Sequence, residues 1–185
     1  MYLIIIFRNQ MPLAEKNQIT FEKTPDYFRD LEAAKRIYDF NPNIKFLLIL
    51  RDPVTRCISH FVHNNNNKMN NENMAKFFEN QIFDDKGMVK NFTNDKIISP
   101  GKYVVSYKKW LKYFPKEQIL VLDGENFVNK PFEELKKVET FLNLTPYIQK
   151  EHFVFDNEKG LFCMKPKLSS QRISCMGSNK GKLNN

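Results

Sequence analysis

The chain has 185 residues, 42% hydrophobic and 14% aromatic, which suits one globular domain with a substantial core and excludes general disorder. Its 29 Lys and Arg against 21 Asp and Glu leave a formal charge of +8. That balance favours a polyanionic partner, whether nucleic acid, an anionic membrane, or a sulfated or carboxylated polysaccharide, and does not choose among them.

Met1–Phe7 is an apolar stretch, far short of the roughly 18 residues a membrane span needs and without the pattern of a signal peptide. Gln18–Glu22 reads as a short strand broken at Lys23-Thr24-Pro25. Asp26–Phe40 carries Tyr27, Leu31, Ala34, Ile37 and Tyr38 at helical spacing. Lys45–Leu50 reads as a strand buried on both faces, stopped by Arg51-Asp52-Pro53, and Pro53 is well suited to open the next helix. Strand, helix, strand and helix in succession predict an α/β fold with a parallel sheet.

His63–Asn73 is an asparagine-rich insert, expected as a solvated loop, and Met74–Phe83 as a short helix. Asp84–Pro100 is polar and expected to be irregular. Gly101–Phe114 has an amphipathic helical pattern ended by Pro115, and Gln118–Asp123 reads as another buried strand. Phe132, Leu135, Val138, Phe141 and Leu142 line one face of a helix after Pro131. From Lys159 the chain is basic, rich in small residues and without a helix signal.

Three groups of residues are candidates for chemistry. Arg51 falls at the carboxyl end of a parallel strand, where open α/β sheets place ligands, and Ser59 lies about two turns up the next helix. A guanidinium fork and a hydroxyl so placed can hold one phosphate. The bland alternative is an arginine at a sheet edge and a serine in solvent. Lys23 follows the first expected strand, where it can neutralise charge on a transferring group or simply occupy a turn. Lys180-Gly181-Lys182 allows close backbone approach to a phosphate, although basic tails are usually only solvated. The histidines show no metal-ligand spacing, so no metal is expected, and no zinc finger or RNA-recognition signature is present.

Cys57 reads as a small buried hydrophobe. Cys163 and Cys175 flank a loop with little apolar material, and either a disulfide or two free thiols in a reducing compartment fits that pattern. The sequons Asn91-Phe92-Thr93 and Asn143-Leu144-Thr145 are compatible with a secretory lumen, the second weakened by Pro146.

Taken together, the chain resembles the heparan sulfate glucosamine 3-O-sulfotransferases. The matching text is Gln10-Met11-Pro12, Thr20-Phe21-Glu22-Lys23-Thr24-Pro25 with Tyr27-Phe28, and Leu47 to Pro53 with Arg56 and Ser59. It continues through Trp110-Leu111, Tyr113-Phe114-Pro115, Asp123-Gly124-Glu125, Lys159-Gly160, Phe162-Cys163 and Lys180-Gly181. The resemblance implies a sulfotransferase-type, P-loop-like parallel sheet flanked by helices. It implies sulfuryl transfer from 3′-phosphoadenosine 5′-phosphosulfate to the 3-hydroxyl of glucosamine in heparan sulfate, in the Golgi lumen, by a disulfide-bonded glycoprotein whose membrane anchor is absent from this chain.

Carried over residue by residue, Arg51 and Ser59 hold the donor's 3′-phosphate. Lys180, Gly181 and Lys182, with Leu183 and Asn184 beside them, add donor contacts ordered by a Cys163–Cys175 disulfide, and Phe162 packs on the adenine. Lys23, Thr24, Pro25 and Asp26 line the glycan cleft, with Lys23 at the reacting centre and His63 and Trp110 bordering it. Departures from the family pattern are specific. Residues 1–8 stand where the family has its first strand, its Lys-Gly-Gly-Thr-Arg phosphosulfate loop and, next, its base glutamate, so 9–185 reads as a partial domain truncated at both ends. Lys182 replaces an arginine and His63 a glutamine. The expectation is therefore a family member weak or inactive by itself, the alternative being a non-catalytic heparan sulfate or anion-binding protein. A P-loop kinase is disfavoured because no Gly-x-x-x-x-Gly-Lys-Ser/Thr motif is present, and the tail gives no support to a nucleic-acid partner.

Overall fold

The computed structural model describes residues 15, 18–24, 27–65, 71–90 and 97–175. Its elements are α1 (Leu31–Phe40), β1 (Phe46–Leu50), α2 (Pro53–Asn65), α3 (Asn71–Ile82), α4 (Tyr103–Trp110), β2 (Ile119–Asp123), α5 (Gly124–Asn129), α6 (Pro131–Leu142), β3 (Phe153–Asp156) and β4 (Leu161–Met164). The class is α/β: β1 and β2 pair in parallel with helices on the flanks, and β3 and β4 form a separate antiparallel hairpin. The described residues divide into two compact units, one drawn from Met1–Phe46 and Tyr103–Ile119, the other from Leu47–Lys102 and Leu120–Asn185.

The first unit is held by aromatic packing between α1, α4 and the residues after α4. Asp30 caps α1 by accepting from the Glu32 amide at 2.9 Å, and Ala33 and Ala34 are buried, small enough to let α4 approach. Phe114 is fully buried among Phe46 at 4.6 Å, Tyr38 at 5.6 Å and Trp110 at 6.1 Å between ring centroids. Gln118 donates to the carbonyls of Pro42 and Ile44 and so fixes the turn that feeds β1.

The second unit carries two small cores. Phe61 of α2 packs on Phe77 and Phe78 of α3, with Met74 and Ile82 buried on the α3 side. Leu122 of β2 and Cys163 of β4 are buried, and α5 lies against both α6 and β4. Glu139 of α6 is buried as well. Its Oε1 accepts from the Tyr147 and Ile148 amides at 2.7 Å each and its Oε2 from Lys136 at 2.6 Å, so one carboxylate ties the loop after α6 back to the helix.

Several expectations are corrected. Gln18–Glu22 forms no strand: Phe21 is 85% exposed, and the stretch has no ladder partner among the described residues. The first helix begins at Leu31 rather than Asp26, because the Asp30 cap sets its start. The β1 run is not covered on both faces, since Leu47 and Ile49 are 46% and 54% exposed; an apolar run alone does not say which side a neighbour will cover. The asparagine-rich insert is helical at both ends, through Asn65 and from Asn71. The β3–β4 hairpin was not expected from its short strands. Its turn is built by Asp156, whose side chain accepts from the Glu158 and Lys159 amides, and by Gly160 at φ 62°.

Candidate functional site

Arg51 lies where β1 ends, and the residues around it explain its position. Pro53 opens α2, and Asp52 caps that helix by accepting from the Thr55 amide at 2.8 Å. Hydrogen bonds from the Thr55 amide and hydroxyl hold the Asp52 carboxyl below its ordinary range, the nearby Arg51 charge adding a smaller effect. On the neighbouring strand, Asp123 ends β2 and caps α5 by accepting from the Asn126 amide at 3.0 Å. Gly124 then passes so close to β1 that a Cβ there would stand 2.6 Å from Arg51 Cγ and 2.9 Å from the Leu50 carbonyl oxygen. Glu125, next in line, accepts from Arg51 Nε on one oxygen and from the Asp52 amide on the other, each at 3.2 Å.

Both Arg51 and Glu125 remain partly exposed, at 37% and 41%. The terminal guanidinium nitrogens of Arg51 have no hydrogen-bond partner among the described residues. Arg51 lines an open cleft of about 370 Å³ at the carboxyl ends of β1 and β2, together with Asp52, Val121, Asp123, Glu125 and Lys137. Lys137 is already engaged, its ammonium paired with the buried Glu134 carboxylate. Arg51 thus has the strongest remaining anion-binding capacity in that cleft.

Ser59 is half-buried on α2, between the buried Cys57 and Phe61. Phe162 is half-buried on β4, edge-on to Phe155 at 5.2 Å, and β4 packs against α5, the helix that also carries Glu125. The helix that carries Glu125 thus lies against the strand that carries Phe162. A disulfide joins Cys163 to Cys175, with Met164 and Ser174 exchanging two backbone hydrogen bonds of 2.8 Å beside it. Those bonds close the loop that the sequence left without apolar support. The two sulfurs and Asp156 lie within 4.8 Å of one another, but a disulfide leaves no thiolate to bind a metal. Lys159 pairs with Asp156 at 3.1 Å, and its amide and ammonium hold that carboxyl below the usual range.

Of the other expected site residues, Lys23, Thr24 and Trp110 belong to the first unit and His63 to the second. Lys23 and Thr24 are exposed outside regular secondary structure, with the Thr24 hydroxyl donating to Glu22. His63 is exposed in the last turn of α2. Trp110, expected beside the glycan cleft, is 5% exposed, packs edge-on to Phe46 at 4.8 Å, and donates its indole N–H to the Phe28 carbonyl at 3.1 Å. A single tryptophan with an apolar body and one donor is often drawn inward this way. Pro25, Asp26, Lys180, Gly181, Lys182, Leu183 and Asn184 lie outside the described residues, as do residues 1–8 and the Asn91 sequon.

Gly124 and Glu125 carried no role in the sequence reading, although Asp123-Gly124-Glu125 was visible as text. The available signal was an aspartate at a strand end followed by a glycine opening a helix. That pattern marks both a cap and a close backbone approach.

A family model described as the sulfotransferase domain matches residues 5–184. The chain is 35% identical over 177 residues to heparan sulfate glucosamine 3-O-sulfotransferase 5 of Homo sapiens, covering 96% of this chain and 50% of that protein. It is 35% identical over 176 residues to heparan sulfate glucosamine 3-O-sulfotransferase 3B1 of Mus musculus, covering 95% of this chain and 44% of that protein. The chain thus spans about half the length of the curated relatives it matches. A solved sulfotransferase from Alicyclobacillus acidocaldarius is 20% identical, with a TM-score of 0.48, over 72% of this chain and 53% of that one.

Proposed function

From the premise that the chain belongs to the sulfotransferase domain family, we propose that it binds 3′-phosphoadenosine 5′-phosphosulfate and serves sulfuryl transfer to the 3-hydroxyl of glucosamine in heparan sulfate. The observation that carries this reading is Arg51. It stands at the carboxyl end of a parallel strand and lines an open cleft, held at Nε by Glu125, with its terminal nitrogens unpartnered among the described residues. That is the chemistry a phosphate monoester requires. The named relatives and the +8 charge support a sulfated polysaccharide as the acceptor.

In this reading Arg51 and Ser59 hold the 3′-phosphate, the arginine through two N–H groups and the serine through its hydroxyl. Phe162 packs against the adenine, and Lys180, Gly181, Lys182, Leu183 and Asn184 add donor contacts. Lys23 neutralises charge developing on the transferring group, while Thr24, Pro25, Asp26 and His63 contact the glycan. Bound donor supplies the activated sulfuryl group. The protein's part is positioning and electrostatics, because in-line transfer of this kind leaves little covalent work for side chains. A base must also accept the proton of the sugar hydroxyl, and no described residue is assigned to that role. Localisation in the Golgi lumen and glycosylation belong to the same reading, with Asn143, exposed at the end of α6, as the described candidate acceptor.

The test is calorimetric titration of the full chain with 3′-phosphoadenosine 5′-phosphate, alongside transfer of labelled sulfate to desulfated heparan sulfate. Micromolar binding, weakened at least ~100-fold in Arg51→Ala, supports donor binding. Heparin binding by a folded chain that ignores the nucleotide overturns it in favour of a non-catalytic anion-binding protein.

A further inference from the structure

We propose that Glu125 is a positioning residue for Arg51, and that with Asp123 and Gly124 it sets the preference for a 3′-phosphorylated nucleotide over the same nucleotide without that phosphate. This rests on the reading that Arg51 binds the 3′-phosphate. Glu125 uses its two oxygens on two different donors, Arg51 Nε and the Asp52 amide, each at 3.2 Å. The amide is part of the backbone at the start of α2, so Glu125 references the guanidinium to the main chain rather than to another flexible side chain. The Nε–H is thereby engaged, and the terminal nitrogens, without a partner among the described residues, are left to receive an anion in the cleft that Arg51 lines.

Two neighbouring carboxylates would otherwise compete for that edge. Asp52 is committed to capping α2 through the Thr55 amide, and Asp123 is committed to α5 through the Asn126 amide at 3.0 Å and side chain at 3.2 Å. Gly124 completes the device. Its missing Cβ is what lets α5 come within reach, since any side chain would meet Arg51 Cγ and the Leu50 carbonyl. The tripeptide therefore caps a helix, opens space and orients an arginine with three successive residues.

The experiment compares binding of 3′-phosphoadenosine 5′-phosphate and adenosine 5′-monophosphate to the full chain, for wild type, Arg51→Ala, Glu125→Gln and Glu125→Ala. The quantity read is the ratio of the two affinities, which a change in folded fraction leaves unaltered. Glu125→Gln is close to isosteric but offers one acceptor oxygen for two donors, so it should fold and still lose orientation. The expectation is a ratio that collapses in Arg51→Ala and falls about tenfold in both Glu125 variants. A ratio that collapses in Arg51→Ala but stays at the wild-type value in Glu125→Gln overturns the role of Glu125 and leaves the phosphate site standing. A ratio unaffected by Arg51→Ala, or no discrimination by wild type, overturns the phosphate reading and this inference with it.

Discussion

Arg51 and Glu125 stand 74 positions apart in the chain and meet at 3.2 Å, at the point where two parallel strands end side by side. Both side chains are more than one third exposed, so the pair contributes only about 0–1 kcal/mol to stability. Its consequence is geometric. A flexible arginine in open solvent samples many rotamers, and a contact that restricts them lowers the entropy lost when an anion arrives.

Gly124→Ala tests the space that this arrangement needs. The added methyl group would stand 2.6 Å from Arg51 Cγ and 2.9 Å from the Leu50 oxygen, well inside contact distance. The backbone must shift, at a cost of about 1–3 kcal/mol. Denaturant unfolding should show that loss, and titration should show weaker binding of 3′-phosphoadenosine 5′-phosphate by the fraction that remains folded.

Lys23→Met separates binding from chemistry. In the proposed mechanism Lys23 neutralises charge that develops during transfer, so its removal should lower kcat by about 10²–10³. Nucleotide affinity measured by calorimetry should stay near wild type. An equal loss in both would assign Lys23 to donor binding instead.

Reduction tests the tail loop. The Cys163–Cys175 bridge spans a sequence separation of 12, for which loop-closure entropy is worth about 3 kcal/mol. Dithiothreitol should lower the unfolding midpoint of wild type and leave that of a Cys163→Ala/Cys175→Ala variant unchanged. Equal midpoints with and without reductant in wild type would show that the bridge adds nothing.

Acid sensitivity should trace to Glu139. The hydrogen bond from Lys136, followed by those from the Ile148 and Tyr147 amides, holds its pKa down to about 2 from an ordinary 4.5. A group depressed on folding contributes stability that is fully present above about 4.5 and lost as pH falls toward 2. Glu139→Gln should be less stable than wild type at pH 7, and the difference should shrink across that interval in urea unfolding curves. A gap that stays constant with pH would remove Glu139 from the acid response.

Much of the second unit was legible because its signals are local. Pro53 after Arg51-Asp52 gave the start of α2, and the apolar run before it gave β1. The spacing of Phe132, Leu135, Val138, Phe141 and Leu142 gave α6. Gln18–Glu22 misled because an apolar–polar alternation is only permission to form a strand, and the stretch has no ladder partner among the described residues. The place of Trp110 in the matching text likewise said nothing about which side of α4 faces Phe46 and Phe114.

The residue order by itself determined the α/β class, the Arg51 strand end and the membership of the chain in its family, since each depends on short-range pattern or aligned text. Tertiary structure alone decided that Glu125 reaches Arg51, that Gly124 must be bare and that Trp110 is buried. Each of these is a contact between residues distant in the chain or a choice among faces. Such outcomes depend on how strands and helices are brought together, which no local propensity encodes.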